Sequence, residues 1–254
     1  MLSRWTNQKN SPEDSRLPCW LQLAWVRYGS LITKSCRSHR QEQSVPEIIG
    51  LFPLQSPLLP GEPLPLHIFE PRYRLLLQQV LAGQQRIGIN LLLDGQLHEI
   101  GCIAQVERIL RRYRDGRMDI AVIGGQRYRI WQLDEQSHPY WVATVEWWTD
   151  EPEEPDGQLQ QACYYLYGEL LQLLRRPSAE VEELLAEARR TTALSFFLGK
   201  QLGLEPLQRQ YLLQMRSERQ RLHWIHDYLQ GLLTQWRAME VYIQRVRSNG
   251  YFPP

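Results

Sequence analysis

Few side chains in this sequence are spaced so that they could carry out chemistry. His223 and His226 lie three residues apart, which on a helix would turn both towards one face, but no H-E-x-x-H pattern completes a metal site. The only lysines are Lys9, Lys34 and Lys200, and no motif pairs one of them with a serine nucleophile. The phosphate-binding pattern G-x-x-x-x-G-K-S/T is missing as well. We therefore expect no enzyme activity, no metal and no cofactor.

One basic cluster stands out in the middle of the chain. Its members are Arg108, Arg111, Arg112, Arg114 and Arg117, with Tyr113 between them. Strand alternation would turn Arg111 away from its neighbours, and Glu107 and Asp119 neutralise part of the charge. Two interpretations stay open. Arg108, Arg112, Arg114 and Arg117 could contact RNA or another anion, or the cluster is a solvated hairpin tip.

Length and composition limit the function classes. The chain has 254 residues, is 43% apolar and carries a formal net charge of +1. That charge argues against a general nucleic-acid binder, and no apolar run approaches the eighteen residues of a membrane span. The cysteines are Cys19, Cys36, Cys102 and Cys163, with no C-x-x-C pair. This usage is typical of single thiols in a reducing compartment, so we expect a cytoplasmic protein.

Residues 51–83 hold the densest local signals. The apolar run 51–59 predicts a first strand, Pro60-Gly61 a turn, and the apolar residues 64–69 a second strand.

A helix is predicted directly after these strands. Pro71 suits the first helical position because its missing N–H would be unpaired there, and Gly83 is a typical stop. Between them, an amphipathic stripe is formed by Tyr73, Leu76, Leu77 and Val80. This helix should press one face onto the sheet.

Three motifs in this region, LFPL, PGE and PLHIFEPRYR, resemble the N-terminal domain of the ATP-dependent protease Lon, which also occurs as a free-standing LON-domain protein. The resemblance covers roughly residues 48–245 and is strongest in PLHIFEPRYR. It implies a β-rich, PUA-like lobe followed by helices, which binds protein substrates without chemistry of its own. The motif positions, expected to be mainly structural, are Phe52, Pro53, Leu54, Pro60, Gly61, Pro65, Leu66, His67, Phe69, Glu70, Pro71, Arg72 and Tyr73.

Further strands are predicted downstream, at 86–93, 100–110, 120–123, 127–133 and 140–148. Turns are expected at Asp94-Gly95 and Gly124-Gly125. Asp115-Gly116 is the clearest hairpin signal. As a two-residue type I′ loop, it would pair Arg112 with Asp119 across the strands.

The acidic, proline-broken segment 150–157 predicts a linker between a β lobe, 47–149, and a helical lobe, 158–248. Helices are expected at 159–174, 179–190, 193–202 and 207–215, and a short tail at 249–254. The predicted fold class is α+β: a PUA-like, partly closed β-barrel lobe followed by an α-helical bundle lobe with a long C-terminal helix.

The long helix is expected over residues 218–247, after a capping box formed by Ser217 and Gln220. Its apolar residues alternate in steps of three and four: Leu222, Ile225, Leu229, Leu232, Trp236, Met239, Ile243 and Val246. A period of 3.5 is typical of a coiled-coil seam. The helix either lies along the bundle, or its second half pairs with another chain in self-association.

Residues 1–46 form a basic extension with a net charge of +4, which leaves −3 for residues 47–254. Three interpretations stay open: a disordered or loosely attached extension, an organelle transit peptide, or translation that starts at Val45.

The aromatic residues favour a binding role. Trp131, Trp141, Trp147 and Trp148 lie in or beside the sheet. Both faces of strand 140–148 carry aromatic rings, so we expect an apolar patch to stay exposed where the sheet meets the helices. This would suit unfolded or client polypeptides. We therefore expect a non-catalytic polypeptide binder linked to proteolysis, with a separate ATP-dependent protease as a candidate partner and RNA binding as the alternative.

Overall fold

The computed structural model describes residues 47–247, which form eight strands and six helices. The strands are β1 (Glu47–Gly50), β2 (Pro63–Ile68), β3 (Arg86–Ile89), β4 (Leu92–Leu93), β5 (Gln96–Leu97), β6 (Ile100–Arg112), β7 (Met118–Asp134) and β8 (Val142–Trp147). The helices are α1 (Pro71–Ala82), α2 (Gly157–Leu173), α3 (Ser178–Arg190), α4 (Leu194–Gln201), α5 (Pro206–Gln214) and α6 (Glu218–Arg247). The α+β class is confirmed. The predictions for residues 1–46 and 249–254 lie outside the described residues.

Six of the described strands form one antiparallel sheet in the order β1-β8-β7-β6-β3, with β2 also paired to β7. The other two, β4 and β5, form a small hairpin around the predicted turn at 94–95. Strands β1 and β3, at the ends of the sheet, approach each other through isolated bridges from Leu51 to Gly88 and from Leu54 to Leu91. The sheet therefore curls strongly without closing, which fits the predicted partly closed barrel.

The apolar run at 51–59 is not the predicted strand, apart from its two isolated bridges. Its prolines lack the N–H groups that a continuous ladder needs. The Pro60-Gly61 turn is confirmed: the Glu62 N–H donates to the Leu59 carbonyl at 3.1 Å, and Gly61 has a φ of +69°. Glycine at this third position is typical of a type II turn.

Helix α1 begins at Pro71 and ends before Gly83, as predicted. Its buried residues are Tyr73, Leu76 and Leu77. They join the same core as the inner face of the sheet, so α1 presses one face onto the strands.

The β6–β7 hairpin differs from its predicted register by one residue. The Tyr113 N–H donates to the Arg117 carbonyl at 2.9 Å, and the Gly116 N–H donates to the Tyr113 carbonyl at 3.1 Å. The loop is therefore three residues long, with Gly116 at a φ of +87°. Arg112 lies opposite Met118 instead of Asp119, so the predicted Arg112–Asp119 ion pair is wrong.

Gly124-Gly125 is not a turn, because β7 runs through both residues without interruption. With 13 and 17 residues, β6 and β7 are also longer than the predicted short strands. Position 124 requires glycine because another backbone segment approaches it closely: a Cβ placed there would lie 2.0 Å from the Leu59 carbonyl oxygen. Its backbone instead accepts from the Gly61 N–H at 2.8 Å and donates to the Glu62 carbonyl at 2.9 Å.

Three buried clusters stabilise the described residues: one between α1 and the inner face of the sheet, one among the helices, and one on the other face of the sheet. Phe196 of α4 and Leu213 of α5 belong to the first cluster, so the helices complete the core of the strands. Around β8, Ala143 and Val145 belong to the third cluster and Tyr140 to the first, as alternation predicts.

The acidic segment 150–157 connects β8 to α2 and is anchored along its length. The Glu153 carboxylate accepts from the Ser217 hydroxyl at 2.7 Å and from the Arg219 N–H at 2.8 Å. Ser217 also accepts from the Gln220 N–H at 3.1 Å. Glu153 therefore helps to cap α6. The four helices predicted after this segment are confirmed within a few residues as α2 to α5.

Candidate functional site

Two buried guanidinium groups close the junction between the strands and the helices. The side chains of Arg127 and Arg221 are almost completely buried, and both contact the carboxylate of Asp150; Arg221 Nη2 lies 2.5 Å from Asp150 Oδ2. Both guanidiniums also lie over the Phe196 ring, at 5.1 and 4.4 Å from its centroid. The expected apolar opening at this junction is therefore wrong, because a polar network and a shared core fill it.

Through this network, the stability of the fold at acidic pH depends on the ionisation of one carboxyl group, that of Asp150. Burial alone would raise the pKa of Asp150, but the hydrogen bond from Arg221 and the charges of Arg127 and Arg221 outweigh burial and hold that pKa below its ordinary value. A depressed pKa in the folded state means stability that is present above the unfolded pKa of about 3.9 and is lost as the pH falls through the folded pKa. In urea titrations at pH 7, 4 and 3, we expect the Asp150→Asn variant to lose less stability on acidification than the parent chain. An equal loss in both proteins would contradict this assignment.

A second polar contact holds the PGE turn against the helices. Lys200 Nζ donates to the Gly61 carbonyl at 3.0 Å, and Arg209 Nη2 donates to the Pro57 carbonyl at 3.1 Å. Arg209 also pairs with Glu62. The PGE residues thus join the two parts of the fold, and Lys200 has a structural role.

The four candidate tryptophans occupy different environments. Trp141 and Trp147 are half-buried against the third core cluster. Trp148 packs against the first cluster and donates from Nε1 to the Gln214 carbonyl at 2.9 Å. Trp131 lies on a bulge of β7 and is 74% exposed. Of these four, Trp131 alone offers a mostly free ring.

The motif positions divide between the core and the surface. Buried side chains are those of Phe52, Leu66 and Tyr73. Half-buried positions are Pro53, Leu54, Pro60 and Glu70. Exposed positions are Gly61, Pro65, His67, Phe69, Pro71 and Arg72. The motif is thus structural on one face, while the other face reaches the solvent.

The exposed face of β2 and the β6–β7 hairpin form an array of rings. The His67 ring stacks on Phe69 at 5.8 Å and meets Tyr113 edge-on at 5.9 Å. Asp119 orders the array, since its carboxylate contacts His67 Nδ1 at 2.5 Å and accepts from the Tyr113 hydroxyl at 2.8 Å. Phe69, at the end of this array, is 58% exposed. The structure thus presents a large apolar side chain on a rigid framework.

Arginines border the same array. The guanidinium carbons of Arg111 and Arg117 lie 4.6 and 5.0 Å from the centroid of the Tyr113 ring. The other candidate cations, Arg108, Arg112 and Arg114, are exposed on this hairpin. We call the surface formed by His67, Phe69, Tyr113, Arg111 and Arg117 the hairpin surface. Arg111 and Tyr113 lie two residues apart with no bulge between them, so simple alternation already places both on one face. Sequence reasoning missed Arg108, because the bulge of β6 between Ile109 and Arg111 turns Arg108 to the face of Arg111.

Helix α6 changes its surroundings along its length. Leu222, Ile225 and Leu229 are buried among the helices, whereas Trp236, Met239 and Ile243 are exposed. Ion pairs of Arg237 with Glu169 and of Arg175 with Glu240 link this half of α6 to α2 and the residues after it. The apolar stripe with coiled-coil spacing therefore continues beyond its last buried contact.

Neither a metal site nor a membrane-spanning helix is found in the part of the chain that the structure describes. No three metal-ligating side chains converge there, and none of its helices is both long and apolar enough to cross a bilayer. His223 is exposed, while His226 Nδ1 lies 3.3 Å from a carboxylate oxygen of Asp227.

Comparison with known proteins defines the class. The family model of the ATP-dependent protease La (LON) substrate-binding domain matches residues 48–231, so the chain belongs to this family. A crystal structure of the Lon N-terminal domain protein from Xanthomonas campestris is similar, with 26% identity, a TM-score of 0.56, and 70% of this chain and 96% of that chain covered. The N-terminal domain of Mycobacterium avium complex Lon protease shares the fold at 19% identity and a TM-score of 0.56, with 72% and 98% covered.

Proposed function

We propose that this protein binds segments of other polypeptides without catalysis and acts in substrate recognition for proteolysis, as an adaptor or chaperone-like factor. Membership of the LON substrate-binding family supports a role in substrate binding. A separate ATP-dependent protease is the partner that such a role requires. The proposed location is the cytoplasm.

The observation that carries this proposal is the two-sided placement of PLHIFEPRYR. Leu66, Ile68 and Tyr73 are buried and build the core. His67 and Phe69 alternate with them and point to the solvent, and a Phe that is 58% exposed contributes little to the stability of the fold. An exposed ring held by ordered neighbours supports contact with a partner.

The described cysteines do not favour an enzyme. Burial raises the pKa of both Cys102 and Cys163 to about 12, so neither thiol is a ready nucleophile near neutral pH. Both are free and buried, as the sequence predicts for single apolar thiols.

Fluorescence anisotropy with a labelled, unfolded peptide rich in aromatic residues tests the proposal. We expect Phe69→Ser to weaken binding about tenfold, because a Phe buried at an interface contributes about 1.5–3 kcal/mol. Leu207→Ser, which removes another exposed apolar side chain on α5, is the matched control and should leave the dissociation constant unchanged. Absence of binding by the parent protein to a panel of such peptides would refute the proposed function.

We also propose that the exposed half of α6 pairs with a second copy of the chain. The unbroken 3.5-residue spacing from Leu229 to Ile243 supports a coiled-coil contact. We expect Met239→Glu to raise the dimer dissociation constant at least about tenfold in sedimentation equilibrium, since it places a charge in an apolar seam. Gln235→Glu, an exposed position on the same helix, serves as the control. A parent chain that stays monomeric at high micromolar concentration would rule out this pairing.

A further inference from the structure

We propose that the hairpin surface binds a polypeptide segment in which an acidic residue lies within about four positions of an aromatic residue. This inference rests on the proposed function and names the class of segment that the protein takes.

The β6–β7 hairpin carries more positive charge than its ion pairs neutralise. Arg72 and Arg117 pair with Glu70 and Asp115, with N–O distances of 2.8 and 2.7 Å. Four further arginines of the hairpin, Arg108, Arg111, Arg112 and Arg114, are exposed and have no ion pair with any of the described residues. A chain with a net charge of only +1 thus concentrates positive charge on one hairpin. The complementary partner is acidic.

The Arg111 guanidinium is held in place by its neighbours. Its guanidinium lies over the Tyr113 ring, and the Tyr113 hydroxyl is fixed by its hydrogen bond to Asp119. A guanidinium that rests on a ring keeps its N–H groups free at its edge, where they match the two oxygens of a carboxylate. Arg111 is therefore oriented for a carboxylate before any partner arrives, which lowers the entropy lost on binding.

The rings of the hairpin surface are spaced within the reach of a short extended segment. The centroid of the Tyr113 ring, on which Arg111 rests, lies 5.9 Å from the centroid of the His67 ring. The His67 centroid in turn lies 5.8 Å from that of the exposed Phe69. An extended polypeptide advances about 3.3 Å per residue, so the two steps together correspond to at most about three or four residues. A segment with an acidic and an aromatic side chain at that separation would reach Arg111 and Phe69 together.

The same array is a poor platform for nucleic-acid bases. Stacking of bases requires open ring faces. Two guanidiniums lie over Tyr113, so this ring is already engaged. The geometry therefore favours an acidic polypeptide over single-stranded nucleic acid, and the nucleic acid becomes an outcome of the test.

Four probes of similar length test the proposal on the full chain by fluorescence anisotropy. The first peptide carries one Phe with a Glu-Asp pair at the third and fourth positions after it. The second carries Gln-Asn in place of the acids, the third Ser in place of Phe, and the fourth probe is a twelve-nucleotide oligouridylate. We expect the first peptide to bind at least about fivefold to tenfold more tightly than the second and the third, from one oriented charge pair and one buried ring.

Matched variants locate the site. Arg111→Gln should weaken binding of the acidic peptide about fivefold to tenfold while leaving the Gln-Asn peptide unaffected. Arg111→Lys, which keeps the charge but loses the planar fork, should recover only part of the affinity. Arg189→Gln, at an exposed arginine on α3, should change nothing. Because Arg111 is exposed, these variants should fold as the parent does, which near-UV circular dichroism checks.

The outcomes separate the two proposals. Equal affinity for the acidic and the Gln-Asn peptides, with loss of binding only on removal of Phe, would overturn the acidic preference and leave polypeptide binding intact. Failure of all three peptides would overturn the proposed function itself. Tighter binding of the oligouridylate, lost in Arg111→Gln, would overturn the inference in favour of nucleic acid.

Discussion

The Arg221→Met variant should have a free energy of unfolding about 3–5 kcal/mol lower than that of the parent chain. The Arg221 side chain is completely buried and pairs with Asp150 and Glu218. It also donates to the Ser195 hydroxyl and the Met215 carbonyl, both at 2.8 Å. A methionine fills much of the same volume but leaves Glu218 without its ion-pair partner and Asp150 with Arg127 alone. The variant should thus lose the link between α6, α4 and the segment after β8.

Urea unfolding followed by far-UV circular dichroism measures this effect. Arg189→Met is the matched control, because Arg189 is exposed on α3, and we expect a change within about 0.5 kcal/mol for a surface substitution. Adding Asp150→Asn to Arg221→Met should deepen the loss, since the buried Arg127 would then lose its carboxylate partner as well. A loss below about 1 kcal/mol for Arg221→Met alone would contradict the role assigned to this network.

Gly124→Ala should lower the free energy of unfolding by about 3 kcal/mol, although it adds a single methyl group. A Cβ at this position would lie 2.0 Å from the backbone oxygen of Leu59, and a backbone atom is not free to move aside as a side chain is. Relieving this steric clash would require the PGE turn to move away from β7. That separation would break the hydrogen bonds of Gly124 with Gly61 and Glu62.

The neighbouring residue provides the control for this substitution. Gly125 lies in the same strand, and a Cβ there would meet nothing closer than 3.5 Å, which is ordinary contact. We expect Gly125→Ala to change stability by less than about 1 kcal/mol in the same urea experiment. Equal losses of stability in the two variants would show that close backbone approach is not the reason why position 124 requires glycine.

Local signals in the sequence predicted much of the fold. Two of these signals are Pro71 at the first position of α1 and the Pro60-Gly61 turn. Both depend only on the backbone conformations that these residues themselves favour. The helices α2 to α5 follow from apolar spacing and from the breakers between them. Family resemblance then supplied the arrangement of the strands.

Features that depend on distant partners were not predictable in this way. The Gly124-Gly125 pair has the composition of a turn, but its conformation is set by contact with Leu59, 65 positions earlier in the chain. The hairpin register depends on the three-residue loop at 114–116, which composition does not distinguish from a two-residue loop. The buried Arg221 carries no local sign of burial, since its carboxylate partners come from two separate segments.

The candidate site shows the same division. Alternation along β2 turns His67 to the face opposite Leu66, but the motif was expected to be mainly structural and this exposed face was not identified from the sequence. Alternation also places Arg111 on the face of Tyr113, whereas the bulge of β6 that turns Arg108 to the same face could not be read from spacing. The expected opening between strands and helices was wrong because Phe196 and Leu213 complete the core of the sheet.

The most direct test of polypeptide binding by the hairpin surface is amide chemical-shift mapping of the isotope-labelled chain during titration with the acidic–aromatic peptide. We predict that the largest shifts fall at residues 66–70 and 110–118, with Phe69 and Arg111 among them. Shifts confined to the exposed half of α6 or to the surroundings of Trp131, with none at the hairpin, would contradict the account.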